Sequence, residues 1–151
     1  MRIGKIIYFY KMAKKKKNIK TIDDLFFELK NNPNPKVYID SSMGTKKGFG
    51  STKRKLPFDY GELSDLINPA DDMGWDIILP PSNRVKEKLI PVGYVKVNDD
   101  EKAWKEKGNT TPPIGNDKVI VASKGVISDQ DVKIIDDFFS SMWQFDKVIW
   151  L

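Results

Sequence analysis

Ile22, Leu25, Phe26 and Leu29 recur three and four residues apart, directly after Thr21-Ile-Asp-Asp24, where a hydroxyl is followed three residues later by an acid. This pattern predicts a short amphipathic helix over about 22–30, stopped by the turn-forming Asn31-Asn-Pro-Asn-Pro35. Val37-Tyr-Ile39 then reads as a strand running into Asp40, and from there to Pro57 the chain is rich in Gly and Lys. Ile77-Ile-Leu79, closed by Pro80-Pro81, predicts a short buried strand, Leu89 to Val97 a longer one, and Lys118-Val-Ile-Val-Ala122 another. Asp100 to Gly115 is polar, carries Gly108 and Pro112-Pro113, and predicts an exposed loop. Ser128-Asp-Gln-Asp131 caps a helix with Val132, Ile135, Phe139 and Met142 on one face, and Val148-Ile-Trp150 predicts a last strand. Short strands that do not alternate with helices predict a β-dominated α+β fold: a small β-barrel or sheet with one packed C-terminal helix.

Charge divides this picture in two. Of the 26 basic residues, Arg2, Lys5, Lys11, Lys14, Lys15, Lys16, Lys17 and Lys20 fall in the first 20 positions with no acid, leaving 18 basic against 21 acidic residues in 21–151. The net +5 is therefore an arm of +8 on a body of −3. Residues 1–20 read as a basic N-terminal arm and 21–151 as one domain. Such an arm attracts any polyanion, whether nucleic acid, an acidic protein or a charged membrane surface, and also serves as a solubilising terminus. The apolar run Ile6 to Tyr10 is far shorter than the roughly 20 residues of a membrane span, and no signal-peptide layout follows it. These features predict a chain without a transmembrane segment, located in the cytoplasm or within a viral or cellular assembly and not secreted.

Composition narrows the chemistry further. With no Cys and no His, the chain lacks a thiolate nucleophile, a disulfide framework, an imidazole base and the usual zinc ligands. Catalysis would rest on carboxylates, Lys, Arg, Tyr and a hard metal ion. Met43 to Lys55 bears five cations, among them Lys46, Lys47 and Arg54, and no acid on a glycine-bearing segment. That combination suits an oxyanion cradle, although it is not a Walker motif and also reads as a solvated hairpin loop. Acids cluster at strand ends: Asp40, Asp71, Asp72, Asp76, Asp99, Asp100 and Asp117. Converging on one rim they would select Mg²⁺, Mn²⁺ or Ca²⁺; taken singly they are turn formers and caps. Trp75, Trp143 and Trp150 read as core or interface anchors, and Trp104, in the polar stretch, as an exposed indole open to a partner.

Four stretches in order, Tyr38-Ile-Asp-Ser-Ser-Met-Gly-Thr-Lys46, Leu56-Pro-Phe-Asp-Tyr-Gly61, Asp71-Asp-Met-Gly-Trp-Asp-Ile-Ile-Leu79 and Pro91-Val-Gly-Tyr-Val-Lys-Val-Asn-Asp99, are followed by Asn116 to Ala122 and a helix ending near Phe138-Phe139. Together they resemble the soluble inorganic pyrophosphatases, and among them short, divergent relatives. The resemblance implies an OB-like β-barrel with a packed C-terminal helix. It implies Asp40, Asp71, Asp72, Asp76, Asp99 and Asp117 as metal ligands for Mg²⁺ or Mn²⁺. It implies Lys46, Lys47, Arg54, Tyr60 and Lys118 against phosphate oxygens, with Asp71, Asp76, Asp99 and Tyr60 in the catalytic set. The chain departs from the family pattern where the middle acid of Asp-x-Asp-x-x-Asp is Met73, where Asn116 replaces an acid, where Leu56 replaces an aromatic hydroxyl and where Met142-Trp143 replaces Tyr-Lys. Three readings follow: hydrolysis of pyrophosphate or a related small diphosphate; a catalytically degenerate interaction module, oligomeric or part of a larger assembly, whose arm holds acidic partners; and nucleic-acid binding through the arm and residues 46–55.

Overall fold

The computed structural model describes residues 16–49, 52–108 and 117–151. Its elements run β1 (Lys17–Asn18), α1 (Ile22–Asn31), β2 (Val37–Ser41), β3 (Lys46–Phe49), β4 (Thr52–Lys55), β5 (Asp59–Asn68), β6 (Met73–Leu79), β7 (Leu89–Val97), α2 (Glu101–Glu106), β8 (Lys118–Ser123), α3 (Asp129–Ser140) and β9 (Phe145–Trp150). The fold is α+β and β-dominated. A mixed sheet runs in the order β5-β6-β8-β7-β9, with β1 and β2 both paired to β5; β3 and β4 form a separate hairpin. β6 and β8 are parallel, as are β1 and β5, while the remaining pairs are antiparallel. No pairing among the described residues joins β9 back to β5, so the sheet stays open. No described helix is long and apolar enough to cross a membrane.

Strand alternation gives the sheet two apolar faces, each with its own cover. Leu63, Trp75, Ile77, Leu79, Val119 and Val121 point to one face, where α1 lays Leu25 and Leu29 against them. Burying each of those leucines stabilises by about 1.5–3 kcal/mol. Thr21 caps α1 by accepting the Asp24 N–H at 3.1 Å, the hydroxyl-to-acid spacing visible in the sequence. Ile78, Val95, Val97 and Ile120 point to the opposite face, covered by Ile135 and Phe139 of α3 and by Phe49 of the hairpin. Ser128 and Asp131 form a reciprocal capping box at the start of α3, and the buried Asp131 also accepts a hydrogen bond from the Ser82 hydroxyl.

Several elements differ from the sequence expectation for identifiable reasons. β5 lacks a clean alternation because its pairing with β6 shifts between Leu63 and Ile67, placing Ser64 and Asp65 at an irregularity. The polar stretch after β7 contains α2: Asp100 caps it by accepting the Ala103 N–H at 3.2 Å. Its Trp104, expected to be exposed, is only 6% exposed. The indole N–H donates to the Asn98 carbonyl at 2.6 Å, and the ring packs edge-on to Trp143 with centroids 5.1 Å apart. Residues 109–115 of that expected loop, and residues 1–15 of the expected arm, lie outside the described residues. The arm's final residues join the body, with Lys17 and Asn18 paired to Leu66 and Ile67 and Ile19 buried.

Candidate functional site

The α3 side of the sheet is covered by apolar side chains over only part of its length, and beyond Phe49 and Phe145 it opens into a cleft of about 450 Å³. Register explains the layout. Tyr38, Glu62 and Asp76 lie opposite one another across β2, β5 and β6 and so share a face. The parallel pairing of Ile77 with Val119 sets Asp76 of β6 beside Lys118 of β8. Lys118 Nζ reaches Asp76 Oδ2 at 3.2 Å, with the lysine side chain 5% and the aspartate 27% exposed. The same ammonium lies 5.2 Å from the centroid of the Tyr60 ring, 5.7 Å from Phe145 and 5.9 Å from Phe49. A carboxylate and three ring faces thus hold a nearly dry cation in place.

Asp40 enters by a different device. Ile39 pairs with Gly61 and Ser41 with Tyr60, so Asp40 occupies the extra position of a β-bulge, which re-aims its side chain. Gly61 permits this close approach, because a Cβ there would collide with the Tyr38 carbonyl oxygen. Asp40 Oδ2 pairs with Lys47 Nζ at 3.0 Å, and that ammonium sits 4.4 Å from the Tyr60 ring. The hairpin is positioned by the fully buried Gln144, whose amide donates to the Phe49 carbonyl at 2.7 Å and the Thr52 hydroxyl at 2.6 Å. Asp71 completes the wall from the β5–β6 turn, where its carboxylate accepts the Met73 N–H at 3.1 Å.

The electrostatics follow from this packing. Burial pushes the Tyr60 hydroxyl well above its usual pKa of 10.0, reinforced by the charge of Asp76, by the hydrogen bond to Asp76 and by Asp40 and Asp71. Tyr60 is consequently a neutral donor to Asp76 at physiological pH. The Asp71 carboxyl is also raised, first by partial desolvation and then by the charge of Asp76, against the lowering effects of the Met73 N–H and Lys118. Four carboxylates, Asp40, Glu62, Asp71 and Asp76, face two ammoniums, Lys47 and Lys118, so the cleft is net negative.

The structure therefore brings Asp40, Lys47, Tyr60, Asp71, Asp76 and Lys118 to one cleft. It places Asp72, Asp99, Asp117, Lys46 and Arg54 elsewhere. Asp72 adopts φ +59° in the β5–β6 turn, with its N–H bonded to the Asn68 carbonyl at 2.9 Å, a left-handed position that Asp tolerates. Asp117 accepts the Val97 N–H at 3.0 Å and so ties β7 to the start of β8. Asp99 is exposed between β7 and α2. Lys46 and Arg54 are exposed on the hairpin, where Lys46 lies opposite Lys55 and Arg54 opposite Lys47. Among the described residues no three acidic side chains converge closely enough to hold a metal ion by themselves. The sequence reading did not single out Glu62 or Tyr38; once the register is known, their shared face with Asp76 is the signal that identifies them. Comparison with protein-family models, with curated proteins and with solved structures gives no match.

Proposed function

We propose that the cleft binds a small diphosphate together with a divalent cation and hydrolyses it, and that the domain is a divergent member of the soluble inorganic pyrophosphatases, its open sheet a variant of an OB-like β-barrel. The observation that carries this reading is the meeting of Asp71 and Asp76 with Lys118, Lys47 and Tyr60 in one cleft, from four separate parts of the chain. The cleft's net negative charge repels a bare diphosphate, so entry is favourable with a cation that neutralises both partners. The donor set fits Mg²⁺ on these terms: Asp71 and Asp76 feel each other's charge, and Mg²⁺ needs only one or two protein carboxylates when phosphate oxygens and waters complete its shell.

Asp71 and Asp76 would hold the ion, which when bound supplies a water of lowered pKa and neutralises charge on the leaving phosphate. Lys47 and Lys118 would face the phosphate oxygens as point charges. Their aromatic and carboxylate surroundings fix both ammoniums in advance, so little reorganisation accompanies binding. Tyr60 orients Asp76 by donating to it.

The test is phosphate release from pyrophosphate with Mg²⁺ or Mn²⁺, comparing the native chain with Asp71→Asn and Asp76→Asn. Metal-dependent turnover lost in both variants is expected; no turnover in the native chain, or equal turnover in all three proteins, would sink the hydrolase reading. A second reading, a non-hydrolytic interaction module whose basic arm holds acidic partners, draws on one observation: Asp72, Asp99 and Asp117 lie outside the cleft walls. It predicts metal-dependent diphosphate binding without turnover.

A further inference from the structure

The cleft has a second character that a diphosphate and a cation leave unused. Tyr38 and Met73 both line it, and both are exposed, at 58% and 60%. Strands usually turn such side chains inward, yet here a ring and a thioether stand at the mouth of a charged site. Glu62 links them. It lies directly across from Tyr38, and its carboxylate oxygen comes within 3.0 Å of where a Cβ on Gly74 would sit, next to Met73. The rim therefore reads Tyr38, Glu62, Met73: an aromatic face, an acceptor-only carboxylate and a flexible apolar cover, adjoining the cations of the floor. Inorganic pyrophosphate is small, wholly polar and strongly anionic, and it can use none of these three groups; a carboxylate on the rim would repel it.

We infer that the cleft is built for an organic diphosphate, a nucleoside 5′-diphosphate or its close analogue, with its planar ring against Tyr38 and Met73 and its ribose hydroxyls donating to Glu62. This rests on the diphosphate reading above and names the substrate class of the same site. The chemistry of each group fits. An aromatic ring stacks on a base whatever its identity, methionine packs against ring faces and edges, and a carboxylate accepts from a hydroxyl diol. At about 450 Å³ the cleft falls within the range of small-molecule sites. Hydrolysis of such a substrate breaks the bond between the terminal phosphorus and the bridging oxygen, forms a bond from that phosphorus to the water oxygen, and leaves a nucleoside monophosphate, phosphate and the water's proton.

The test uses full-length protein with Mg²⁺ and two probes that cannot be hydrolysed at the bridge, methylenediphosphonate and its adenosine ester, α,β-methylene-ADP. Calorimetry should give the ester an affinity about tenfold above that of methylenediphosphonate, the scale of one base stacked on one aromatic ring. Tyr38→Ala should lower the ratio of the two affinities several-fold toward one, and Tyr38→Phe should restore it. Equal binding of the two probes by the native protein, or an unchanged ratio in Tyr38→Ala, overturns the inference. If methylenediphosphonate binds and Lys47→Met weakens it while the ester has no advantage, the diphosphate reading stands and the nucleoside reading alone falls. If neither probe binds, both fall.

Discussion

Replacing Lys118 by Met removes the cation at the floor of the cleft while keeping most of its apolar stem, so the consequence is chiefly electrostatic. Removing one member of a fully buried ion pair costs about 3–5 kcal/mol. Asp76 keeps 27% of its side chain exposed and still receives the Tyr60 hydroxyl, so it regains part of its hydration; the expected loss is about 2 kcal/mol. The reverse change is harsher. Asp76→Asn takes away the carboxylate at 3.2 Å from an ammonium only 5% exposed, and its remaining contacts, three ring faces among them, compensate only in part. That loss should be about 3 kcal/mol. The double variant removes both charges and should lose about 3 kcal/mol, leaving a coupling of roughly 2 kcal/mol. Urea unfolding followed by tryptophan fluorescence measures all four proteins, and for a chain of this size each kcal/mol also moves the melting temperature by about 2–4 °C. Losses in the double variant that equal the sum of the singles within about 0.5 kcal/mol would refute the claim that these two charges depend on each other.

Tyr60 gives a pH signature. Its folded pKa is raised above the unfolded value near 10.0, so the folded state retains a proton that the unfolded state gives up. Stability is accordingly full below pH 10 and declines as pH rises from there toward the folded pKa; Tyr60→Phe should flatten that alkaline decline, and an alkaline limb identical in both proteins would contradict the assignment. Gln144→Ala should cut the hairpin loose from the body by removing the donor to Phe49 and Thr52. A loss of about 2 kcal/mol with selectively faster amide exchange over residues 46–55 is expected, and uniform exchange across the sheet would disprove the anchoring role.

Legibility in the sequence followed periodicity. β7 is visible from Leu89 to Val97 at both ends, and both longer helices show because Thr21 and Ser128 cap an apolar stripe that repeats at helical spacing. α2 was hidden because one apolar residue, Trp104, holds it, and one residue has no period. β5 was hidden by its irregularity at Ser64 and Asp65 and by Tyr60 and Glu62, whose face serves the cleft as well as the core. The site was legible in residue type but not in parity. Lys46 and Lys47 are indistinguishable in sequence, yet alternation along β3 sends one outward and the other to Asp40. Asp71 and Asp72 differ likewise, one facing the cleft and the other taking the turn's left-handed position. Strand register and a bulge decide these assignments, and both depend on partners far away in the chain.

The parallel pairing of β6 and β8 has a temporal consequence. Asp76 and Lys118 are separated by 42 residues, and β8 takes its place between β6 and β7, both of which precede it in the chain. During synthesis Asp76 precedes its partner Lys118 by that whole interval, and of the cleft's two ammoniums only Lys47 comes before it. The cleft's balance of charge is therefore complete only once β8 has been made.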